Sequence, residues 1–281
     1  MVKIIINADD LGKDYVVNNA IEEALTMHYI TSSTIMANST TWDQIHKIVN
    51  NHPDASFGVH LNLTEGKALT NNPILFKYGI VDKANIFTKK IVGLIDCNQE
   101  LLEAIFEEWD AQMNKVIYIE GIEISHIDGH HHIHTLAPLL PILIRLIKKY
   151  KIDKVRNRYE FTFPWFKTII IRMLKLIPIG EKLRKSLLSI DSFPFLFLGT
   201  LYDNKFWREE VNKVAKTTDI FNAYETQIHL CKNNAVIQDN CVIELMCHPG
   251  HPQFEHEYNQ IKEEVLSSLV KDIKYINYRD I

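Results

Sequence analysis

The chain has 281 residues, 46% of them apolar and 23% charged, which is enough for one substantial core and ordinary for a soluble globular protein. Its net charge of -4, with signs mixed along the chain, excludes the broad basic field that binds nucleic acid. Cys97, Cys231, Cys241 and Cys247 are too sparse and irregular for a disulfide scaffold, so a cytoplasmic location is expected, and no apolar run reaches the roughly 18 residues of a membrane span.

In chain order, Lys3 to Asn7 is a short β-branched run that ends in two acids and reads as a buried strand rather than a signal-peptide core. Asp14 to His28 has helical spacing, with Val17, Ala20, Ile21, Ala24 and Leu25 on one face. Thr31 to Ala37 reads as a strand, Trp42 to Asn50 as a short helix, and Ser56 to Leu63 as a strand carrying His60. Gln99 to Lys115 is an amphipathic helix, and Glu123 to Asp128 is a strand that runs into a histidine cluster. Leu136 to Tyr150 is a helix with Pro138 and Pro141 near its first turn, where proline is tolerated. Asp153 to Arg156 and Cys241 to Cys247 are strands, Glu255 to Val270 a helix, and Ile273 to Tyr278 a last strand.

Strands alternating with helices predict a parallel α/β architecture. Polar clusters follow several separate strands, which suits the mouth of a β/α barrel of the TIM type better than the single crevice of a doubly wound sheet. No repeat or Gly/Ser linker divides the chain, so a single domain is expected. The aromatic-rich stretch from about 160 to 200, with Phe161, Phe163, Trp165, Phe193 and Phe195, reads as a lid, a substrate wall or the surface of a homodimer.

Histidine is the unusual residue: of 13 in the chain, five lie between His126 and His134. Imidazoles bind divalent first-row metals, and Ser125-His126-Ile127-Asp128-Gly129-His130-His131-His132-Ile133-His134 is the strongest metal signal in the sequence. If a helix begins here, His130 and His134 share one face. Asp128 is placed to orient a ligand imidazole. Asp9 and Asp10, adjacent at a strand end, can divide the work of metal ligand and base, although Asp10 also reads as a helix cap. His60 lies in an apolar strand and His248 at a strand-to-loop corner, where an imidazole can donate a proton near neutral pH. Arg156 reads as a contact to a substrate oxygen or to an acidic partner, or equally as a plain surface ion pair.

These motifs resemble the YdjC-like carbohydrate deacetylases, which include bacterial chitooligosaccharide deacetylases. The resemblance rests on Asn7-Ala8-Asp9-Asp10 with Gly12, Thr31-Ser32-Ser33-Thr34, Gly58-Val59-His60-Leu61, the segment from His126 to His134, Val155-Arg156, Glu244-Leu245-Met246-Cys247-His248-Pro249 and Tyr278-Arg279-Asp280. It implies a distorted β/α barrel and one divalent ion, usually magnesium, with zinc or manganese also suited to the ligands. It implies that an aspartate of the first motif, His60 and His130 hold the ion. It also implies removal of N-acetyl groups from amino sugars or oligosaccharides. Within that frame Asp10, His60 and His130 are the expected ligands, Asp9 the general base, His248 the general acid and Arg156 a substrate contact. Spacing leaves the roles of Asp9 and Asp10 exchangeable. A metal-dependent phosphoesterase, a sugar isomerase of similar barrel and a non-catalytic carbohydrate-binding protein are the competing readings.

Overall fold

The computed structural model describes residues 2–93, 97–158, 208–222, 242–262 and 273–281. The aromatic stretch at 160–200 lies outside the described residues.

The chain starts with β1 (Val2–Leu11), whose Ile4, Ile5 and Ile6 are buried, as a parallel strand covered on both faces requires. The helix α1 (Tyr15–Thr26) follows at once because Asp14 caps it, accepting from the Val16 and Val17 amides at 2.8 and 2.9 Å. Next come β2 (Ser32–Ile35), α2 (Trp42–Asn51), β3 (Ser56–Leu61) and the short α3 (Pro73–Lys77). The helix α4 (Gln99–Asn114) is capped by Asn98 and buries Leu101, Ala104, Ile105 and Trp109. After β4 (His126–Gly129), the helix α5 (Leu140–Tyr150) starts with proline in its first turn and ends at Lys151 in the left-handed conformation. The remaining elements are β5 (Lys154–Arg158), β6 (Lys216–Asn222), β7 (Val242–Cys247), α6 (Glu255–Lys262) and β8 (Ile273–Tyr275).

All strand pairings are parallel, in the order β2-β3-β4-β5-β6-β7-β1-β8. The ring closes because β1 also pairs with β2 through Asn7 to Leu11, while β8 occupies the same edge of β1 through Val2 to Ile4. Seven strands thus form a distorted β/α barrel, with β8 wedged at one rim and the helices outside. No helix among the described residues is long and apolar enough to cross a membrane.

The short α3 lies where the sequence predicts no element, and two further elements differ from the expectation. Strand β6 was not foreseen, because Lys216-Thr217-Thr218-Asp219 lacks an apolar pattern. Thr218 is buried and bonds Glu244 and Tyr278, so this strand faces a polar interior. The last strand stops at Tyr275 instead of Tyr278. Asn277 turns the chain into a capped 3₁₀ turn, accepting from the Arg279 amide at 2.7 Å while Asp280 accepts from the Asn277 amide at 3.0 Å. Tyr278 then reaches into the barrel and stacks on His126 at 3.5 Å.

Candidate metal centre and active site

Two adjacent acids at the end of an ideal strand would point to opposite faces. Here the β1–β2 register slips: Ala8 pairs with Ser33 but Leu11 with Ile35, so Asp9 and Asp10 together oppose Thr34. This bulge carries Asp10 at φ 71°, a left-handed conformation that aspartate tolerates better than most residues. Both carboxylates therefore enter one buried site, each only 2% exposed.

Asp10 Oδ1 lies 3.2 Å from His60 Nε2 and 2.8 Å from His130 Nδ1. It is buried and receives no well-directed hydrogen bond, so three ligand atoms converge without satisfying one another. They lie within 4.8 Å of one another, a spacing that one ion spans. The residues behind them fix the ligands. His60 Nδ1 is 2.6 Å from Asp128 Oδ1, and Thr34 donates to Asp128 Oδ2 at 3.0 Å. His130 Nε2 is 3.1 Å from Glu65 Oε2, and Glu65 pairs with Lys13. Each imidazole thus has a carboxylate on its far nitrogen, which sets its tautomer and strengthens it as a ligand. Burial pulls the His60 pKa down, but Asp128, Asp10 and Asp9 outweigh it and raise it to about 10. The pocket demands positive charge, and the donor set fits a divalent cation.

A second buried trio, Asp9, His60 and Asp128, also has ligand spacing. Its positive charge is already present. Arg156 donates through Nη1 to Asp9 Oδ2 at 2.7 Å and through Nη2 to Asp9 Oδ1 at 2.6 Å, and its Nη1 lies 2.8 Å from Asp128 Oδ2. A cation there would meet a guanidinium. Burial raises the Asp9 carboxyl, but Arg156 overrides it and holds the group well below the usual carboxylate range.

Of the contacts open to Arg156 in the sequence, a substrate oxygen, an acidic partner or a surface ion pair, the geometry shows the acidic partner. The side chain is fully buried and its donors go to Asp9, Asp128 and Glu244, the last through Nε at 2.8 Å. Two of these donors clamp Asp9. The expected face shared by His130 and His134 is absent. The segment His130–Thr135 is a 3₁₀ turn broken by His131 and His132 at φ 53° and 55°, so helical spacing does not apply. His134 packs against Gly129, where a Cβ would meet its Nδ1 at 2.7 Å, and its Nε2 bonds the Arg156 carbonyl at 2.9 Å.

The β7–α6 loop brings in His248, with Nε2 4.0 Å from Asp9 Oδ2. Its Nδ1 lies 3.0 Å from Glu257 Oε2 on α6. Burial lowers the His248 pKa, but Glu257, Asp9 and Asp10 raise it above the ordinary value. Phe254 covers the imidazole, ring centroids 4.5 Å apart. Glu257, Glu65, Lys13 and His251 were not singled out from the sequence. His251, three residues past His248, was legible as part of the His-Pro-Gly-His-Pro run; the two glutamates and the lysine carried no signal.

Gly250 anchors this loop. It has φ +82°, and a Cβ there would stand 2.9 Å from the Val17 Cα and 3.1 Å from the Ala20 Cβ. Gly250→Ala is expected to cost roughly 2–4 kcal/mol, from the left-handed backbone and the overpacking against α1. Urea denaturation measures it; a midpoint equal to wild type would mean that the loop does not depend on this contact.

The family model described as YdjC-like protein matches residues 3–276. A carbohydrate deacetylase of Halalkalibacterium halodurans is 33% identical over 154 residues, 53% of this chain and 61% of that protein. Carbohydrate deacetylases of Vibrio campbellii and Brevibacillus brevis are 33% and 31% identical, over 54% and 58% of this chain and 57% and 61% of theirs. The matched stretch thus spans about three fifths of each relative's length. A solved structure from Enterococcus faecalis V583, provisionally described as a cellobiose-phosphate cleavage protein, aligns with TM-score 0.70 at 22% identity, covering 99% of this chain and 98% of that one. That likeness concerns the fold.

Proposed function

The chain belongs to the YdjC-like protein family, and on that premise we propose that it is a metal-dependent hydrolase removing N-acetyl groups from amino sugars or chitooligosaccharides. The observation that carries the reading is the pairing of a cation-demanding trio, Asp10, His60 and His130, with Asp9 and His248 beside it, 4.0 Å apart.

Asp10, His60 and His130 would hold the ion. A divalent ion there supplies Lewis acidity, polarising the acetyl carbonyl and acidifying water. Asp9 is the general base: ionised at any working pH, it accepts the proton of the attacking water. His248 is the general acid. Its Nδ1–H is spent on Glu257, so Nε2 delivers a proton to the departing amine. Water adds to the carbonyl carbon, the C–N bond breaks, and acetate and a free amino sugar leave. Phe254, tilted over His248, supplies an aromatic wall against which a sugar face can lie.

Magnesium is the ion that the family resemblance implies. Two imidazoles and one carboxylate hold zinc or manganese more tightly, since magnesium prefers oxygen ligands and retained water. Elemental analysis of protein purified without added metal distinguishes these.

The test is acetate release from N-acetylglucosamine oligomers and diacetylchitobiose, with and without chelator. Acetate is expected, with the rate falling about 10²-fold or more on chelation and returning with added divalent ion. Phosphate release from sugar phosphates in place of acetate would transfer the site to a phosphoesterase; tight sugar binding without turnover would make the chain a binding protein.

A further inference from the structure

The β7–α6 loop carries a second imidazole that the reaction above does not use. His251 has a side chain 10% exposed, and its Nε2 stands 3.2 Å from Asp10 Oδ2. That nitrogen is buried and makes no well-directed hydrogen bond among the described residues, so its close approach to Asp10 is a contact still open to a better-aligned bond. Asp10 is therefore flanked on both oxygens: Oδ1 faces His60 Nε2 and His130 Nδ1, and Oδ2 faces His251 Nε2.

The loop is built to hold this ring. The His251 amide donates to the His248 carbonyl at 3.3 Å, the Phe254 amide donates to the His251 carbonyl at 3.0 Å, and Gly250 wedges the turn against α1. The His251 ring meets His248 edge-on at 5.8 Å and Phe254 at 6.1 Å. One short turn thus delivers the proposed acid to Asp9 and a second imidazole to Asp10.

We propose that His251 is a positioning residue of the metal centre. With the ion bound, its Nε2–H, 3.2 Å away, would hold Asp10 Oδ2, so that the carboxylate offers the ion Oδ1 alone. A carboxylate free to rotate can chelate through both oxygens and occupy a coordination position that substrate needs. Asp10 has particular need of such a restraint, because its bulged, left-handed backbone does not by itself set the side-chain rotation. Asp128 does the corresponding task for His60, and Glu65 for His130, so each of the three ligands has a partner behind it.

This inference rests on the metal-centre half of the reading above and not on its reaction. The test is Zn²⁺ affinity of the purified full chain, by competition with a chromophoric chelator at fixed pH. His251→Ala is expected to weaken binding about 10–100-fold. His251→Gln, whose amide nitrogen reaches the same carboxylate oxygen, restores most of that loss. His60→Ala abolishes binding and so identifies the site being measured. Thermal unfolding of the metal-free variants matches wild type; if His251→Ala does not fold, His251→Asn, whose amide falls short of Asp10, takes its place. Unchanged affinity in the loss variant overturns the proposal. So does a His251→Gln protein as weak as His251→Ala whose Co²⁺ absorption spectrum shows a nitrogen ligand lost, since His251 would then bind the ion directly. Acetate is not measured, so a failed deacetylase reading leaves this result standing.

Discussion

Replacing Asp9 by asparagine is expected to lower acetate release roughly 10²–10⁴-fold, the usual contribution of a positioned general base. The substitution keeps size and shape but removes the charge. Asp9 accepts from both Arg156 terminal nitrogens, at 2.7 and 2.6 Å, and from Asn7 Nδ2 at 2.8 Å. That clamp has two consequences. It keeps the carboxylate ionised, so activity has no acid limb from Asp9 until far below neutral pH. It also makes Asp9 a weak base, unable to take a proton from ordinary water. The two proposed roles therefore depend on each other: as a base, Asp9 would need water that is already acidified. The asparagine protein should bind metal with affinity close to wild type and stay inactive at saturating metal. Asp10→Asn should behave differently, losing metal affinity first and regaining part of its turnover as the ion concentration rises. Kinetics over a metal titration thus separate the two adjacent acids, which their spacing in sequence does not. An Asp9→Asn protein within twofold of wild-type kcat would remove Asp9 from the base role.

The residues legible in the sequence were those whose local pattern breaks a strong rule. Asp9 and Asp10 end a β-branched run, His60 interrupts an apolar strand, His130 follows a strand and a glycine, and His248 precedes Pro-Gly; each is a polar group where burial is costly. All four segments end barrel strands, which is why the alternation of strands and helices also disclosed the architecture. What remained hidden depends on three-dimensional pairing. Arg156 reads as a surface ion pair until Asp9 is brought to it across 147 residues. Glu65 and Glu257 look like ordinary loop and helix acids, yet each meets the far nitrogen of a site imidazole. The bulge at Asp10 leaves no trace in composition, because it is a slip in register against β2. Strand β6 escaped notice for a related reason: the barrel interior near Glu244 is polar, so its strand carries threonine where an apolar residue would have announced it.

Arg156→Ala is expected to be the most damaging single change to stability, at about 3–5 kcal/mol, the cost of leaving buried charges without a partner. The guanidinium is fully buried and serves three acids: Asp9, Asp128 and Glu244. Each acid comes from a different strand, so the side chain ties β1, β4 and β7 to β5 through the middle of the barrel. Glu244 shows how finely the charges balance. Burial raises its carboxyl above the ordinary range although Arg156 pulls the other way and Tyr278 donates to it. Without Arg156 each of the three loses its strongest opposition to burial, and only His60, His248 and Tyr278 still pull the other way. Lysine should recover only part of the loss, since one ammonium cannot reproduce the forked contacts. Adding Glu244→Gln to Arg156→Ala should be less harmful than the sum of the single changes, because the glutamine removes one of the stranded acids. The pH dependence has a definite sign. Asp9 in the wild type has a depressed pKa, so its stabilisation is present above the unfolded carboxylate value of about 4 and is lost as pH falls through its lower folded value. In the alanine variant the stabilisation that Arg156 gives Asp9 is absent at every pH, so that part of the stability no longer falls with pH. The stability gap between the two proteins should therefore be widest near neutrality and narrow below pH about 4. Chemical denaturation at several pH values measures it; a gap that stays constant with pH would mean that Arg156 stabilises the barrel by packing and not by its charge.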